Sequence, residues 1–182
     1  MADELLDDQL APWIGRPLGS LVASEGPDPV NQPMIRHWVA AFEDANPVYV
    51  DSEAAGLSRF AAIVAPPLML QTWTMATPLI SGIRERGGSP VETQLDGPLG
   101  ILDSAGYVAT VATDSEFEIV RYLGLGERVS AATVLEAVSE DKTTRLGKGR
   151  FVTWLTTYTV ASGEVVGRQR FRILKFIPDG PS

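Results

Sequence analysis

The stretch Phe60-Ala61-Ala62-Ile63-Val64-Ala65-Pro66-Pro67-Leu68-Met69-Leu70-Gln71-Thr72-Trp73-Thr74-Met75-Ala76-Thr77-Pro78-Leu79-Ile80-Ser81-Gly82-Ile83 carries no charged side chain. It is long enough to span a bilayer. Three prolines interrupt it, however, and Gln71, Thr72, Thr74, Thr77 and Ser81 would each need a hydrogen-bond partner in hydrocarbon. The pattern predicts instead a helix that opens at Pro66-Pro67, lies buried on every side of a soluble fold, and ends at Gly87-Gly88-Ser89-Pro90. A helix without a polar face must be enclosed, and the flanking sequence has to supply the enclosure.

C-terminal to this run the apolar period shifts to two, and β-branched and aromatic residues dominate. Strands are predicted over Glu116 to Leu123, Glu127 to Ser139, Arg150 to Ala161 and Glu164 to Phe176. Turns fall at Gly124-Leu125-Gly126, at Asp141 to Gly149 and at Ser162-Gly163. N-terminal to the run, Leu18 to Ser24 reads as a short first strand. Asn31 suits a helix N-cap with Pro33 in the first turn, and Ile35, Trp38, Val39 and Phe42 recur on one helical face. Asn46-Pro47 breaks that helix, and Ser52 to Leu57 predicts a helical turn. Helices followed by an antiparallel meander make an α+β fold. A long central helix wrapped by a curved antiparallel sheet, the hot-dog arrangement, satisfies the burial requirement.

Composition agrees with one ordinary domain. The chain has 182 residues, 45% hydrophobic and 21% charged. We assign residues 1–178 to the domain and 179–182 to a linker start or tail, an ending compatible with a further domain in a longer parent chain. The net charge of −8 argues against nucleic-acid or anionic-membrane partners. With no cysteine and one histidine, His37, the chain has no disulfide, thiolate nucleophile, zinc-thiolate site or His-rich metal site. The acidic start Met1-Ala2-Asp3-Glu4-Leu5-Leu6-Asp7-Asp8 is unlike a signal peptide, so a cytoplasmic location without a membrane span is expected.

The octapeptide Asp44-Ala45-Asn46-Pro47-Val48-Tyr49-Val50-Asp51, followed by Ile63-Val64-Ala65-Pro66-Pro67-Leu68-Met69-Leu70, resembles the MaoC-like hydratases and dehydratases, in particular the FAS1-like dehydratase branch. Gly126-Glu127-Arg128-Val129 and Ser162-Gly163-Glu164-Val165-Val166 extend the resemblance, which covers roughly residues 12 to 178. A narrower resemblance rests on Lys142-Thr143-Thr144-Arg145-Leu146-Gly147-Lys148-Gly149-Arg150-Phe151-Val152-Thr153 and Arg170-Phe171-Arg172-Ile173-Leu174-Lys175-Phe176. These look like the larger subunit of two-subunit enoyl-CoA hydratases of actinobacterial steroid side-chain degradation.

The resemblance implies an Asp and a His that activate water at the α,β-carbons of an enoyl thioester. It implies no metal or redox cofactor, CoA being part of the substrate. Here Tyr49 stands at the His position, and Glu43 replaces a Gly that precedes the Asp. A phenol titrates near ~10 and is a poor base at neutral pH. The motif Asp44, Asn46, Tyr49 therefore reads as degenerate, with no catalytic residue expected on this chain. The implied assembly is a heterodimer or heterotetramer with a catalytic MaoC-like hot-dog subunit. A thiolase partner is implied only where a C-terminal domain follows. Two alternatives stay open: a self-sufficient hydratase or dehydratase using Asp44, and an acyl-CoA- or lipid-binding scaffold without chemistry.

Candidate substrate contacts follow from that resemblance. Arg168, Arg170 and Arg172 share one strand face and read either as anchors for CoA phosphates or as cross-strand partners of Glu116, Glu118 or Glu136, the second being preferred. Lys142, Arg145, Lys148 and Arg150 crowd a hairpin that reads as a mobile basic loop for the nucleotide or as a soluble turn. Met69, Trp73, Met75 and Leu79 read as acyl-pocket lining or, preferred, plain core. His37, opposite the apolar stripe of its helix, is expected at the surface.

Overall fold

The computed structural model describes residues 2–17, 24–75, 78–84 and 97–178. A six-stranded antiparallel sheet organises them. Its strands are β1 (Ser24–Glu25), β2 (Ala109–Ile119), β3 (Val129–Val138), β4 (Lys142–Thr144), β5 (Gly147–Val160) and β6 (Val165–Pro178). The spatial order is β1-β3-β5-β6-β2, with β4 paired to the start of β5. The β5–β6 hairpin turns at Ser162-Gly163, where Gly163 has φ 84°, a conformation that favours glycine. Bulges displace the register at Leu135/Ala137, Tyr158/Thr159 and Ala112/Asp114.

Register assigns the faces. Thr156 lies opposite Gln169, Trp154 opposite Phe171, Val152 opposite Ile173 and Arg150 opposite Lys175, so these residues share the inner face. Leu155 opposite Arg170 and Thr153 opposite Arg172 share the outer one. Two apolar clusters occupy the inner face. One joins Ile35, Tyr49, Met69, Leu70 and Trp73 to Val129, Tyr158, Val160 and Val166. The other joins Leu6 and Leu10 to Leu102, Tyr107, Leu135, Val152 and Ile173.

The helices are α1 (Ala2–Leu10), α2 (Gln32–Phe42), α3 (Ser52–Leu57) and α4 (Pro98–Ser104). Asn31 caps α2, its side-chain oxygen accepting from Met34 N–H at 3.0 Å. Asp51 caps α3 through Glu53 and Ala54 N–H at 2.9 and 3.1 Å. Ile35 of the predicted stripe is buried, while Phe42 is exposed and stacks on Trp38 at 4.4 Å between centroids. Among the described residues no helix is long and apolar enough to cross a membrane.

The long central helix is corrected. The uncharged run forms a 3-10 helix over Pro67–Thr74, ending at Met75 in extended geometry. Two prolines at its start remove N–H donors, and Pro78 excludes continuation four residues past its end. Nor is the segment buried on every side: Met69, Leu70 and Trp73 are buried, while Leu68, Gln71 and Met75 are exposed, as are Leu79 and Ile80 beyond it. Its predicted end at Gly87–Pro90, the strand over 18–23 and the tail 179–182 lie outside the described residues.

Strand positions are corrected too. β2 spans Ala109–Ile119, beginning seven residues before the predicted start and ending four before the predicted end, because Thr110, Thr113, Asp114 and Ser115 make its first half polar and hide its period. α1, β4 and α4 were not predicted; α4 follows a Gly-Pro start and is only seven residues long.

Candidate functional site

The Asp44–Asp51 loop is built from local hydrogen bonds. Glu43 ends α2 in the left-handed region (φ 52°, ψ 34°), and the N–H groups of Glu43 and Asp44 both return to the Val39 carbonyl. The Gly of the resembled family stands at this left-handed position, and a glutamate must strain to occupy it. Asp44 Oδ1 accepts from Asn46 N–H at 3.0 Å, and Asn46 Oδ1 accepts from Val48 N–H at 3.3 Å. The Asp44 carboxylate is thus engaged with the loop's own backbone.

Tyr49 points into the protein and is 5% exposed. Gln32 Nε2 donates to its carbonyl at 3.1 Å, and Val64 N–H donates to the carbonyl of Val48 at 3.4 Å. Burial, and after it the neighbouring Tyr122 and Asp44, push the Tyr49 phenol above its ordinary range, against a smaller opposing effect of Asn46. A neutral, buried phenol beside an engaged carboxylate can position groups but cannot take a proton from water near neutral pH. His37 is exposed on α2, as expected.

Next to the loop a groove of about 630 Å³ opens between residues 59–64 and the end of β2. Phe60 and Tyr122 stack there at 4.8 Å, with the Arg59 guanidinium 4.8 Å over Phe60. Below it, Arg121 forks onto Glu127 (2.7 and 2.9 Å) and onto Glu164 (2.8 Å at both oxygens). Arg121 holds the Glu127 carboxyl below the usual carboxylate range against burial, with help from Gly124 N–H. One guanidinium therefore ties together the Gly126-Glu127 and Gly163-Glu164 segments.

A second groove, about 250 Å³, lies on the inner sheet face beside the 3-10 helix, lined among others by Gln71, Met75, Thr133, Trp154, Thr156 and Phe171. Met69 and Trp73 do not line it. They belong to the core, and the Trp73 Nε1–H is buried with no hydrogen-bond partner among the described residues. Met75, which follows the 3-10 helix in extended geometry, does line the groove.

The basic candidates separate by depth. Arg150 is only 1% exposed, so it sits on no mobile loop: it bonds Asp7 of α1 and Asp141 (2.9 Å). Lys148 is exposed and pairs with the same Asp141 at 2.6 Å. On the outer face Arg168 pairs with Glu118 (3.0 Å), Arg170 with Glu136 (2.6 Å) and Glu116 (3.3 Å), and Arg172 with Asp114 (3.2 Å). The outer stripe is a cross-strand ladder. Among the described residues no group of three or more His, Asp or Glu side chains could hold a metal ion.

Sequence reasoning missed Arg121, Gln71, Gln169 and the Thr133–Thr156 pair. A signal existed: Thr156 and Tyr158 follow Val152 and Trp154 and precede Val160 at alternate, inward positions of β5, where polar side chains are costly unless bonded.

An antiparallel sheet curved around a short helical segment, with an Asp-x-Asn-Pro loop beside it, defines a hot-dog domain of the hydratase and dehydratase class. The chain belongs to the family described as "FAS1-like, dehydratase domain region", which it matches over residues 18–169. It is 45% identical over 180 residues to a Thermomonospora curvata protein named "Probable enoyl-CoA hydratase alpha subunit", covering 98% of this chain and 54% of that protein. It is 43% identical over 157 residues to the "3-oxo-4,17-pregnadiene-20-carboxyl-CoA hydratase alpha subunit" of Mycobacterium tuberculosis, covering 84% of this chain and 47% of that one. Among solved structures it resembles a chain of the ChsH1-ChsH2 complex from Mycobacterium tuberculosis, with 38% identity, TM-score 0.76, and coverage of 99% of this chain and 93% of that one. The (R)-hydratase of A. caviae, 17% identical at TM-score 0.55, shares the fold. The chain spans about half the length of the curated relatives it matches.

Proposed function

We propose that this chain is the non-catalytic, substrate-binding hot-dog half of a heteromeric enoyl-CoA hydratase. Its substrate would be the CoA thioester of a 3-oxo steroid side-chain acid, hydrated in the cytoplasm. The observation that carries the reading is Tyr49: a buried neutral phenol where the resembled family holds its proton-transfer imidazole, beside an Asp44 already bonded to Asn46 N–H. Hydration requires a base to take a proton from water as the oxygen adds to the β-carbon, and an acid to protonate the α-carbon. A catalytic MaoC-like partner supplies both groups. Addition of water to a conjugated thioester changes no oxidation state overall and calls for no redox cofactor.

Three facts support the division of labour. Two relatives are named as alpha subunits of enoyl-CoA hydratases, and a structural relative comes from a two-protein complex. β2 is an eleven-residue edge strand, bonded on one side to β6 and largely exposed, which suits addition of a neighbouring chain. The shortened central helix leaves the inner-face groove beside it, and we assign the acyl group there. The nucleotide end can use Lys148, Arg168 or Arg170 only by trading a carboxylate for a phosphate.

Co-expression with a MaoC-like partner, followed by a hydration assay, tests this. The mixed assembly is expected to turn over, and Asp44→Asn and Tyr49→Phe in this chain are expected to leave kcat within a few-fold. Full turnover by the isolated chain, abolished by Asp44→Asn, would overturn the reading. So would acyl-CoA binding with no hydration under any pairing, which marks a scaffold module.

A further inference from the structure

At one level of the sheet, Thr133 of β3, Thr156 of β5 and Gln169 of β6 lie directly opposite one another. All three are polar, next to the apolar Trp154 and Phe171 on the inner face, and their hydrogen bonds have a direction. The Tyr158 hydroxyl donates to Gln169 Oε1 at 2.8 Å. That commits Gln169 Nε2 to donate to Gln71 Oε1 at 3.1 Å and to Ser115 Oγ at 3.0 Å. Gln71, its oxygen taken, is left with its Nε2 hydrogens, which have no partner among the described residues. Thr133 and Thr156 share one hydrogen bond of 2.8 Å. Two hydroxyls own two hydrogens, so one remains unspent.

The unspent groups are therefore donors, and Gln71, Thr133 and Thr156 all line the 250 Å³ inner-face groove. Its other walls include the Trp154–Phe171 ring pair, 5.2 Å apart, and Met75. Aromatic and thioether walls with convergent donors match a flat apolar ring that carries an acceptor. A carbonyl oxygen has two lone pairs and no hydrogen of its own, so it answers both donors at once. A ring without an acceptor would leave these donors desolvated and unbonded.

We infer that this groove takes the distal ring of the acyl group and reads a ring ketone there, through the Gln71 amide and the spare hydroxyl of the Thr133–Thr156 pair. The inference rests on the acyl-CoA reading above and names the group that the binding half recognises. Gln71 and the threonines are positioning and specificity residues and take no part in the chemistry.

The test is a fluorescence titration of the full chain, with Trp154 in the groove wall as reporter. The probes are progesterone, a 3-oxo-4-ene steroid, and its 3-deoxo counterpart. The ketone is expected to bind on the order of tenfold more tightly, the size of one or two unmade hydrogen bonds. Thr133→Val with Thr156→Val is expected to bring the ratio close to one while sparing the deoxo affinity. Gln71→Leu, at an exposed position, is expected to lower the ratio several-fold on its own, with an unchanged urea midpoint showing that loss of the Gln169 contact leaves the fold intact. Equal affinity for both probes, a ratio untouched by Gln71→Leu, or no binding of either probe overturns the inference. Neither probe carries CoA or a bond to hydrate. A failure here therefore leaves the hydratase reading standing, and loss of that reading leaves the binding result standing.

Discussion

Asp141→Asn isolates the buried charge cluster that fastens α1 to the sheet. Asp141 is partly buried, which alone would raise its pKa, but hydrogen bonds from Lys148, Tyr107 and Arg150 outweigh burial and hold it down at about 2, against an ordinary 3.8. Its side chain is 20% exposed, so solvent screening discounts the interaction little. At ~1.4 kcal/mol per pH unit the difference corresponds to about 2.5 kcal/mol of folding free energy. Removal also leaves the buried Arg150 with Asp7 alone, whose side chain is 53% exposed. The expected loss at pH 7 is about 2–3 kcal/mol by urea denaturation, or a Tm lower by roughly 5–10 °C for a chain of this size. The sign of the pH dependence follows from a lowered folded-state pKa. The stabilisation is complete above the unfolded value and is lost as pH falls towards 2. Parent and variant should therefore converge in acid, with about half the difference left at pH 3. A loss below ~0.5 kcal/mol at pH 7, or a difference as large at pH 3 as at pH 7, would refute the argument.

Gly26→Ala should destabilise the chain by about 1–3 kcal/mol in the same denaturation assay, because an added Cβ would meet the Trp73 carbonyl oxygen at 2.1 Å and displace the 3-10 helix. Glu43→Gly relieves a left-handed backbone and should raise stability by about 0.5–1 kcal/mol; a fall in Tm would show that the Glu43 conformation carries no strain. Arg170→Ala removes the fork onto Glu136 and the contact with Glu116, yet the pair is exposed and solvent-screened, so Tm is expected to stay nearly unchanged and any loss to shrink in high salt; a large fall in Tm that persists in high salt would refute this.

Much of the fold was legible because local signals act over a few residues. Asn31, Pro33 and the stripe ending at Phe42 marked α2, and the Asp51 cap placed α3 over Ser52–Leu57. The alternation in β5 and β6 gave their hairpin within a few residues at each end. The uncharged run misled in a specific way: absence of charge reported the burial of Met69, Leu70 and Trp73, but the prolines limited the helix to eight residues with one buried side. The first half of β2 escaped notice because an edge strand packed on one side keeps a mostly polar composition.

For the site, sequence alone determined that Tyr49 stands where the resembled family has a His, and the identity of that side chain is independent of folding. It also determined the loop, because Asp44, Asn46 and Asp51 bond to backbone two or three residues away. Only the tertiary structure decided which cations are spent. Arg150 and Arg170 stand in similar basic runs, yet one is buried between Asp7 and Asp141 and the other is ladder-paired at the surface. The donor-lined groove was likewise decided in three dimensions: it needs Thr133, Thr156 and Gln169 brought level across three strands, and Gln71 delivered from a separate segment. Strand register sets such meetings, and bulges such as those at Leu135/Ala137 and Tyr158/Thr159 shift register without leaving a periodic trace in the chain.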